Sequence, residues 1–502
     1  MLQDPGARLE TAAHPEALHR IVIEPVTRVE GHGKVTLLLD DHRHVKQARL
    51  HIAEFRGFET FIQGRPYWEV PVLVQRLCGI CPVSHHLAAA KAMDVLVGGR
   101  TLTPPADKLR RLLHYGQTLQ SHALHFFHLA SPDLLFGMDS DVAKRNLIGV
   151  IQSHPAIALQ GVRLRKFGQE VIRVLAGKRV HGVLAIPGGV NKALAAGDAE
   201  LLRKDVDQMV SWSKDAVKIA YDLYVEDLER NASFASFPSN FLSLIAPDGT
   251  FELYEGGLRA RDASGASIFD QVPCDNYLRH IHEEVKSWSY MKFPFILSLG
   301  AEAGSYRVGP LARLNNADRM PTPMAEEERR AFAALGEGAP VQATLAYHWA
   351  RMIEMLCAAE TIRELLDDPD CSGTDLVVRG ERAFEGVGVV EAPRGTLIHH
   401  YVVDETDAIV RANLIVATTH NNTAMNTAVR EVAAHDLDGQ ELSEGLLNHL
   451  EVAIRAYDPC LSCATHALGT MALEVEMQDT HGRLLDALSR DQNGRVIRGV
   501  RP

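Results

Sequence analysis

Two CxxC pairs carry the most chemistry in this sequence. One lies in Arg76-Leu77-Cys78-Gly79-Ile80-Cys81-Pro82-Val83-Ser84-His85, the other in Tyr457-Asp458-Pro459-Cys460-Leu461-Ser462-Cys463-Ala464-Thr465-His466. Together they can supply four thiolates to one centre, a donor set suited to a soft transition metal. Each pair has a histidine behind it, and an aspartate stands two residues before Cys460. The separation of the pairs is informative: 378 residues lie between Cys81 and Cys460. A zinc finger or ribbon closes its pairs within a few dozen residues, because its metal staples a small domain. A chain of 502 residues with 46% hydrophobic content buries a large core unaided. Distant pairs therefore point to a metal held inside an already folded body, which is a catalytic arrangement. A zinc-stapled interaction protein is the competing reading, and metal analysis separates the two.

The other candidates are weaker one by one. Glu30 in Arg28-Val29-Glu30-Gly31-His32-Gly33 and Glu59 in Phe55-Arg56-Gly57-Phe58-Glu59 stand in loops beside glycines, where the backbone can approach closely but a glutamate is more often just solvated. Arg394 in Glu391-Ala392-Pro393-Arg394-Gly395 sits in a loop that proline stiffens, which can aim the guanidinium inward. His122, His125 and His128 recur three apart and fit either a metal-binding helix face or a packed row. Cys274, Cys357 and Cys371 are unpaired and read as buried small hydrophobes. There is no GxGxxG after a strand, no phosphate-binding GxxxxGK loop and no GxSxG elbow. An electron acceptor of nucleotide type would therefore sit on another subunit.

The elements that must position these residues read as mainly α with small antiparallel β-sheets (α+β). After a loose leader over residues 1–19, strands are expected at 21–26, 33–39 and 47–53, the last two joined by a polar Asp40-Asp41-His42 turn. From Pro71 the pattern is helical: 87–96, a long amphipathic helix over 106–130, then 141–179, 191–230, 275–289, 341–367, 421–436 and 441–456. Breaks rich in glycine and proline fall at 186–189, 237–249 and 308–310. A second β segment spans 386–419, with hairpin arms at 396–403 and 408–417. No repeat or linker divides the chain, so we expect one large catalytic unit over 1–502. Its parts are a β region (20–70), a helical body (71–380), the β segment (386–419), C-terminal helices with the metal motif (420–466) and a terminal extension (467–502). The net charge of −12, with both signs interspersed, gives no footprint for nucleic acid. Seven cysteines, an odd number, argue against a disulfide framework and fit a reducing compartment. No signal pattern or membrane-spanning apolar run is visible, so a soluble, cytoplasmic protein is expected.

At this point the motifs resemble a known family. RxCGICPVSH (Arg76–His85) and DPCLSCATH (Asp458–His466) resemble the two signatures of nickel–iron hydrogenase large subunits. RVEGHGKV, FRGFE, EAPRG and NLIVATT (Asn413–Thr419) match further stations in order. FRGFExFxxGRP, QSHALHFFHLASPD and YRVGPLARLN look most like the cytoplasmic NAD-reducing, bidirectional class. The resemblance implies Cys78 and Cys460 as terminal nickel ligands, with Cys81 and Cys463 bridging to an iron that carries CO and CN ligands. It implies that His85 tunes a bridging thiolate and that Glu30 takes protons from Cys460. Arg394 would overhang the open face, with Val416, Ala417 and Thr418 beside the cyanides. Glu59, the Leu414 carbonyl and His466 would hold Mg2+ or a similar divalent cation. Where many uptake enzymes place an aspartate against that arginine, this chain has Ser121. The implied activity is reversible heterolytic cleavage of H2, with electrons passing to a small subunit holding Fe-S clusters and on to diaphorase subunits with FMN and NAD. Seven cysteines are too few to hold such clusters as well. A maturation protease and a nickel chaperone are implied partners. The protease would cut after His466 once nickel is in place, removing 36 residues. Until then the tail is expected to hold the Cys460 pair away from the Cys78 pair. The alternatives are a cytoplasmic hydrogenase with a non-NAD acceptor and a metal-free homologue resembling a respiratory-complex subunit.

Overall fold

The computed structural model describes residues 9–52, 54–465, 473–478, 484–490 and 496–498. It opens with an antiparallel sheet of His19–Ile23, Gly33–Leu39 and Val45–Ile52, in that order. Val35, Leu37, Ala48 and Leu50 are fully buried, so this sheet is anchored to the body by its apolar residues.

The body is helical. Pro82–Leu96 begins at the first cysteine pair, with Pro82 at the helix start, where a missing N–H costs nothing. Its alanines let it lie backbone-to-backbone on the strand Glu385–Ala392. A Cβ on Gly388 would fall 2.0 Å from the Ala88 carbonyl, and one on Gly386 would fall 2.2 Å from that of Ala92. Pro104–Leu124 runs on through a π-turn (His125–Ala130) into Ser131–Phe136. It crosses Pro155–Ala176 closely, since a Cβ on Gly168 would meet the Gly116 carbonyl at 2.6 Å. Ala346–Asp367 is buried almost all round and forms the axis of the body, packed against Ala196–Glu226 and Pro104–Leu124. One continuous cluster of buried apolar residues extends from Val26 to Ala464.

The second β segment is a three-stranded antiparallel meander: Glu385–Ala392, Gly395–Val403 and Ile409–Ile415. The helices Pro310–Asn316 and Pro323–Ala334 add to those expected, and the stretch expected as one helix over 141–179 is two, Leu147–Ser153 and Pro155–Ala176. Two further features differ from the sequence-based expectation. Residues 275–289 do not form a helix: a short 3-10 turn, Cys274–Arg279, leads into the strand Ile281–Glu284, which pairs with Phe293–Ile296. There the cross-strand partner outweighs weak local propensity. Inside the expected break at 237–249 lies Asn240–Ile245, the second strand of a sheet ordered Tyr306–Arg307, Asn240–Ile245, Gly257–Arg261, Ser267–Val272. Five of its six residues are buried, so it lacks the alternation that marks a half-exposed strand. In the extension, Leu473–Gln478 pairs with Leu484–Arg490, which in turn pairs with Val496–Arg498. No helix among the described residues is long and apolar enough to cross a membrane.

Candidate metal centre

The two cysteine pairs meet. The sulfurs of Cys78, Cys81, Cys460 and Cys463 all lie within 4.8 Å of one another, and all four residues are buried. Sγ–Sγ distances are 3.2 Å for Cys78–Cys460, 3.8 Å for Cys81–Cys463 and 3.0 Å for Cys460–Cys463. Cys78 ends the turn Val74–Leu77, and its sulfur accepts from the backbone N–H of Ile80 and Cys81 at 3.2 and 3.1 Å. Hydrogen bonds from Cys460, Cys463 and Cys78, and then His85, pull the Cys81 thiol well below its ordinary range. Burial pushes Cys460 and Cys463 well above theirs. Four converging soft donors, buried out of water, fit a transition metal, whose charge would favour the thiolates that burial opposes. No other group of three or more histidine, cysteine or carboxylate side chains among the described residues is placed to hold an ion.

The loop bearing Glu30 is joined to the second pair through its backbone. Glu30 and Cys460 form an isolated parallel bridge, and Leu461 N donates to the Glu30 carbonyl at 2.9 Å. Gly31 is needed there: its φ is +84°, and a Cβ would lie 2.7 Å from Ser462 N. The Cys460 thiol donates to Oε2 of the half-buried Glu30 at 2.9 Å. Ser462 gives the same carboxylate its backbone N–H at 3.2 Å and its hydroxyl.

Arg394 is anchored in this chain by Asp458. Its Nη2 donates to Asp458 Oδ1 at 2.9 Å, and Nη1 donates to Ser121 Oγ at 3.2 Å, with arginine and aspartate side chains 3% and 2% exposed. Burial raises the Asp458 carboxyl, against which the charges of Arg394 and Arg351 pull. A small crevice of about 10 Å³ adjoins the sulfurs, lined by Cys81, Cys460, His85, Arg394 and Thr418 with Ala392, Leu397, Val416 and Ala417. Thr418 Oγ1 accepts from Cys460 N at 2.9 Å, so its hydroxyl proton remains available to a ligand. His85 Nδ1 and His399 Nε2 share a hydrogen bond of 3.1 Å, and His399 Nδ1 meets the Tyr401 hydroxyl at 2.6 Å.

The hard-cation set is met only in part. Leu414 N donates to Glu59 Oε1 at 2.8 Å, so those two residues adjoin, and burial raises the Glu59 carboxyl. His466 lies outside the described residues. The histidine row is a packed one: His122 bonds Glu354 at 3.0 Å, and His125 donates to the Arg455 carbonyl at 2.7 Å and stacks on His348. The second pair is held in place by the bridge between Glu30 and Cys460 and by the buried segment up to Thr465. Ser462, His399 and Tyr401 carry no signal in the sequence that marks them as site residues. Asp458 carries one, its place two residues before Cys460.

With this geometry in view, the relatives are informative. The nickel-dependent hydrogenase family model matches residues 56–142 and 261–466, and a HoxL-like model matches residues 20–55. The chain is 48% identical to the beta subunit of the NAD-reducing hydrogenase HoxS of Cupriavidus necator over 94% of this chain and 99% of that one. It is 41% identical to a chain of the F420-non-reducing hydrogenase of Methanothermobacter thermautotrophicus, over 93% and 99%. A solved NAD+-reducing NiFe-hydrogenase in the H2-reduced state superposes with a TM-score of 0.88 at 54% identity, covering 90% of this chain and all of that one. From fold, four-cysteine centre and likeness together, the chain belongs to the nickel-dependent hydrogenase family.

Proposed function

We propose that this chain is the catalytic large subunit of a cytoplasmic hydrogenase that oxidises and forms H2 reversibly and exchanges electrons with NAD+/NADH through partner subunits. The observation that carries it is four buried sulfurs within 4.8 Å, with a carboxylate 2.9 Å from one of them. Cys78, Cys81, Cys460 and Cys463 would together hold a nickel–iron centre whose iron carries CO and CN ligands, with Cys78 and Cys460 serving nickel and Cys81 and Cys463 serving both metals. When bound, the metal pair supplies the Lewis acidity that polarises H2 and a store for two electrons.

The chain's own residues do the rest. Glu30 accepts a proton at the Cys460 sulfur, and its hydrogen bonds to Ser462 hold the carboxylate at that sulfur. Arg394, fixed by Asp458 and Ser121, presents preorganised positive charge at the pocket. His85, backed by His399, tunes the Cys81 sulfur. Thr418 and the Val416–Ala417 backbone offer hydrogen bonds to cyanide. Glu59 and the Leu414 carbonyl, with His466, would hold a magnesium-like ion that braces the C-terminal segment. Cys460→Ser in the assembled complex tests the centre: nickel and H2 activity should both be lost, and full activity would refute the assignment.

The NAD link is favoured by identities of 48% and 54% to NAD-linked enzymes. An acceptor other than NAD is the second reading, favoured by the 41% identity to the archaeal enzyme. H2-dependent reduction of NAD+ by the co-purified complex separates them. Electrons would leave through Fe-S clusters of a small subunit to FMN-bearing diaphorase subunits. A nickel chaperone and a protease acting at His466 would complete maturation, in keeping with a family match that stops at residue 466.

A further inference from the structure

The segments that bring Glu30 to Cys460 converge on one buried carboxylate outside the centre. Asp133, in the helix Ser131–Phe136, is 4% exposed. Its Oδ1 accepts from Arg28 Nη2 at 2.6 Å and from Asn448 Nδ2 at 3.2 Å, and its Oδ2 accepts from Arg455 Nη1 at 2.7 Å. Arg145 Nε stands 3.6 Å from Oδ1. Arg28 lies two residues before Glu30, and Arg455 lies five before Cys460. Both segments are conformationally costly: Arg28 has φ +55° and Asp458 has φ +54°, left-handed positions that non-glycine residues hold only when the surroundings impose them. Further bonds tie these segments to the turn before Asp133's helix and to each other. Arg28 Nη1 donates to the Leu129 carbonyl at 2.9 Å, and Arg455 Nε donates to the Thr27 carbonyl at 3.0 Å. Glu451 accepts from Thr27 N at 2.5 Å and from Arg455 Nη2 at 2.8 Å.

We propose that Asp133 is a positioning residue for proton transfer: its two oxygens, divided between Arg28 and Arg455, set the Glu30 loop in register with the Cys460 segment. This rests on the reading of Glu30 as the proton acceptor. Neither arginine reaches the sulfurs itself. Each orients a backbone segment, and the carboxylate between them offsets the repulsion between the buried Arg455 guanidinium and the half-buried Arg28 one. Proton transfer at a 2.9 Å contact is sensitive to such register, since a misplacement of about 1 Å can cost about 100-fold in rate.

The test uses the complete hydrogenase complex with every rate expressed per nickel. Asp133→Asn keeps the side chain's size but leaves one arginine facing an amide. It should retain nickel and a KM for H2 within about twofold, while H2/D2O exchange falls about tenfold or more. Backbone amide exchange at Leu461, which donates to the Glu30 carbonyl, should quicken. If Asp133→Asn fails to load nickel, Arg28→Lys carries the test, because one ammonium cannot span the Leu129 carbonyl and Asp133, and the same slowing with nickel retained is expected. Parent-like exchange per nickel in the variant that loads, or loss of nickel in both, would overturn the proposal. Glu30→Gln run alongside separates the two readings. If it exchanges normally, the acceptor assignment fails, and the Leu461 amide still reports whether Asp133 sets the register.

Discussion

Asp458 offers the sharpest single perturbation. It is the carboxylate that pairs Arg394, and its φ of +54° is one that asparagine tolerates about as well as aspartate. Asp458→Asn therefore removes charge without adding the backbone strain that alanine would bring. Deleting one partner of a buried ion pair costs about 3–5 kcal/mol, because the surviving charge stays buried. Here Arg394 keeps Ser121 and gains an amide oxygen, which returns about 1–2 kcal/mol and leaves a net loss of about 3 kcal/mol. Burial has already lowered Arg351 to about 10, and it too loses the favourable charge of Asp458, so the variant's losses are not confined to one arginine. An Arg394 that swings aside withdraws preorganised charge from the pocket, worth about 100-fold in turnover. We expect H2 oxidation per nickel to fall by about that factor and thermal inactivation to quicken. Ser121→Asp in the same background should restore much of both, since Ser121 Oγ lies 3.2 Å from Nη1 of the same guanidinium. Parent-like activity and stability in Asp458→Asn, or no recovery on adding Ser121→Asp, would refute the reasoning.

Further outcomes are open to measurement. Glu30→Gln should assemble the metal site yet lose H2/D2O exchange, read by mass spectrometry of the evolved gas. His449 is raised above 6.5: burial lowers it, but Asp436 and Asp139 more than compensate. Its contribution to stability is therefore fully present below pH 6.5 and lost as pH rises through the raised value, so His449→Gln should flatten that part of a pH–stability curve. Intact mass of the active enzyme should show a large subunit ending at His466, and an active form retaining Pro502 would defeat the processing scheme.

The sequence by itself determined a good deal. Metal-ligand spacing survives any folding detail, so the two CxxC pairs announced a four-thiolate centre from residue types alone. The helix read at 106–130 was legible as a long amphipathic stretch, the one read at 341–367 as a long run without glycine or proline after residue 340, and Gly33–Leu39 as an apolar run bounded by polar turns. The tertiary structure alone decided what stands opposite what. The spacing of Arg394 and Asp458, 64 residues apart, gives no sign that they pair; that partnership comes from the packing of the β-meander turn against the end of the last helix. Asn240–Ile245 was hidden because a strand buried on both faces loses its period, and Ile281–Glu284 because its partner lies outside any local window. The assembly of the centre is of the same kind. The Cys460 pair is held at the centre by the bridge from Glu30, 430 residues away in sequence. Donor chemistry is a property of residue type and can be seen in one dimension, whereas charge compensation and register are pairwise in space and exist only once the chain has folded.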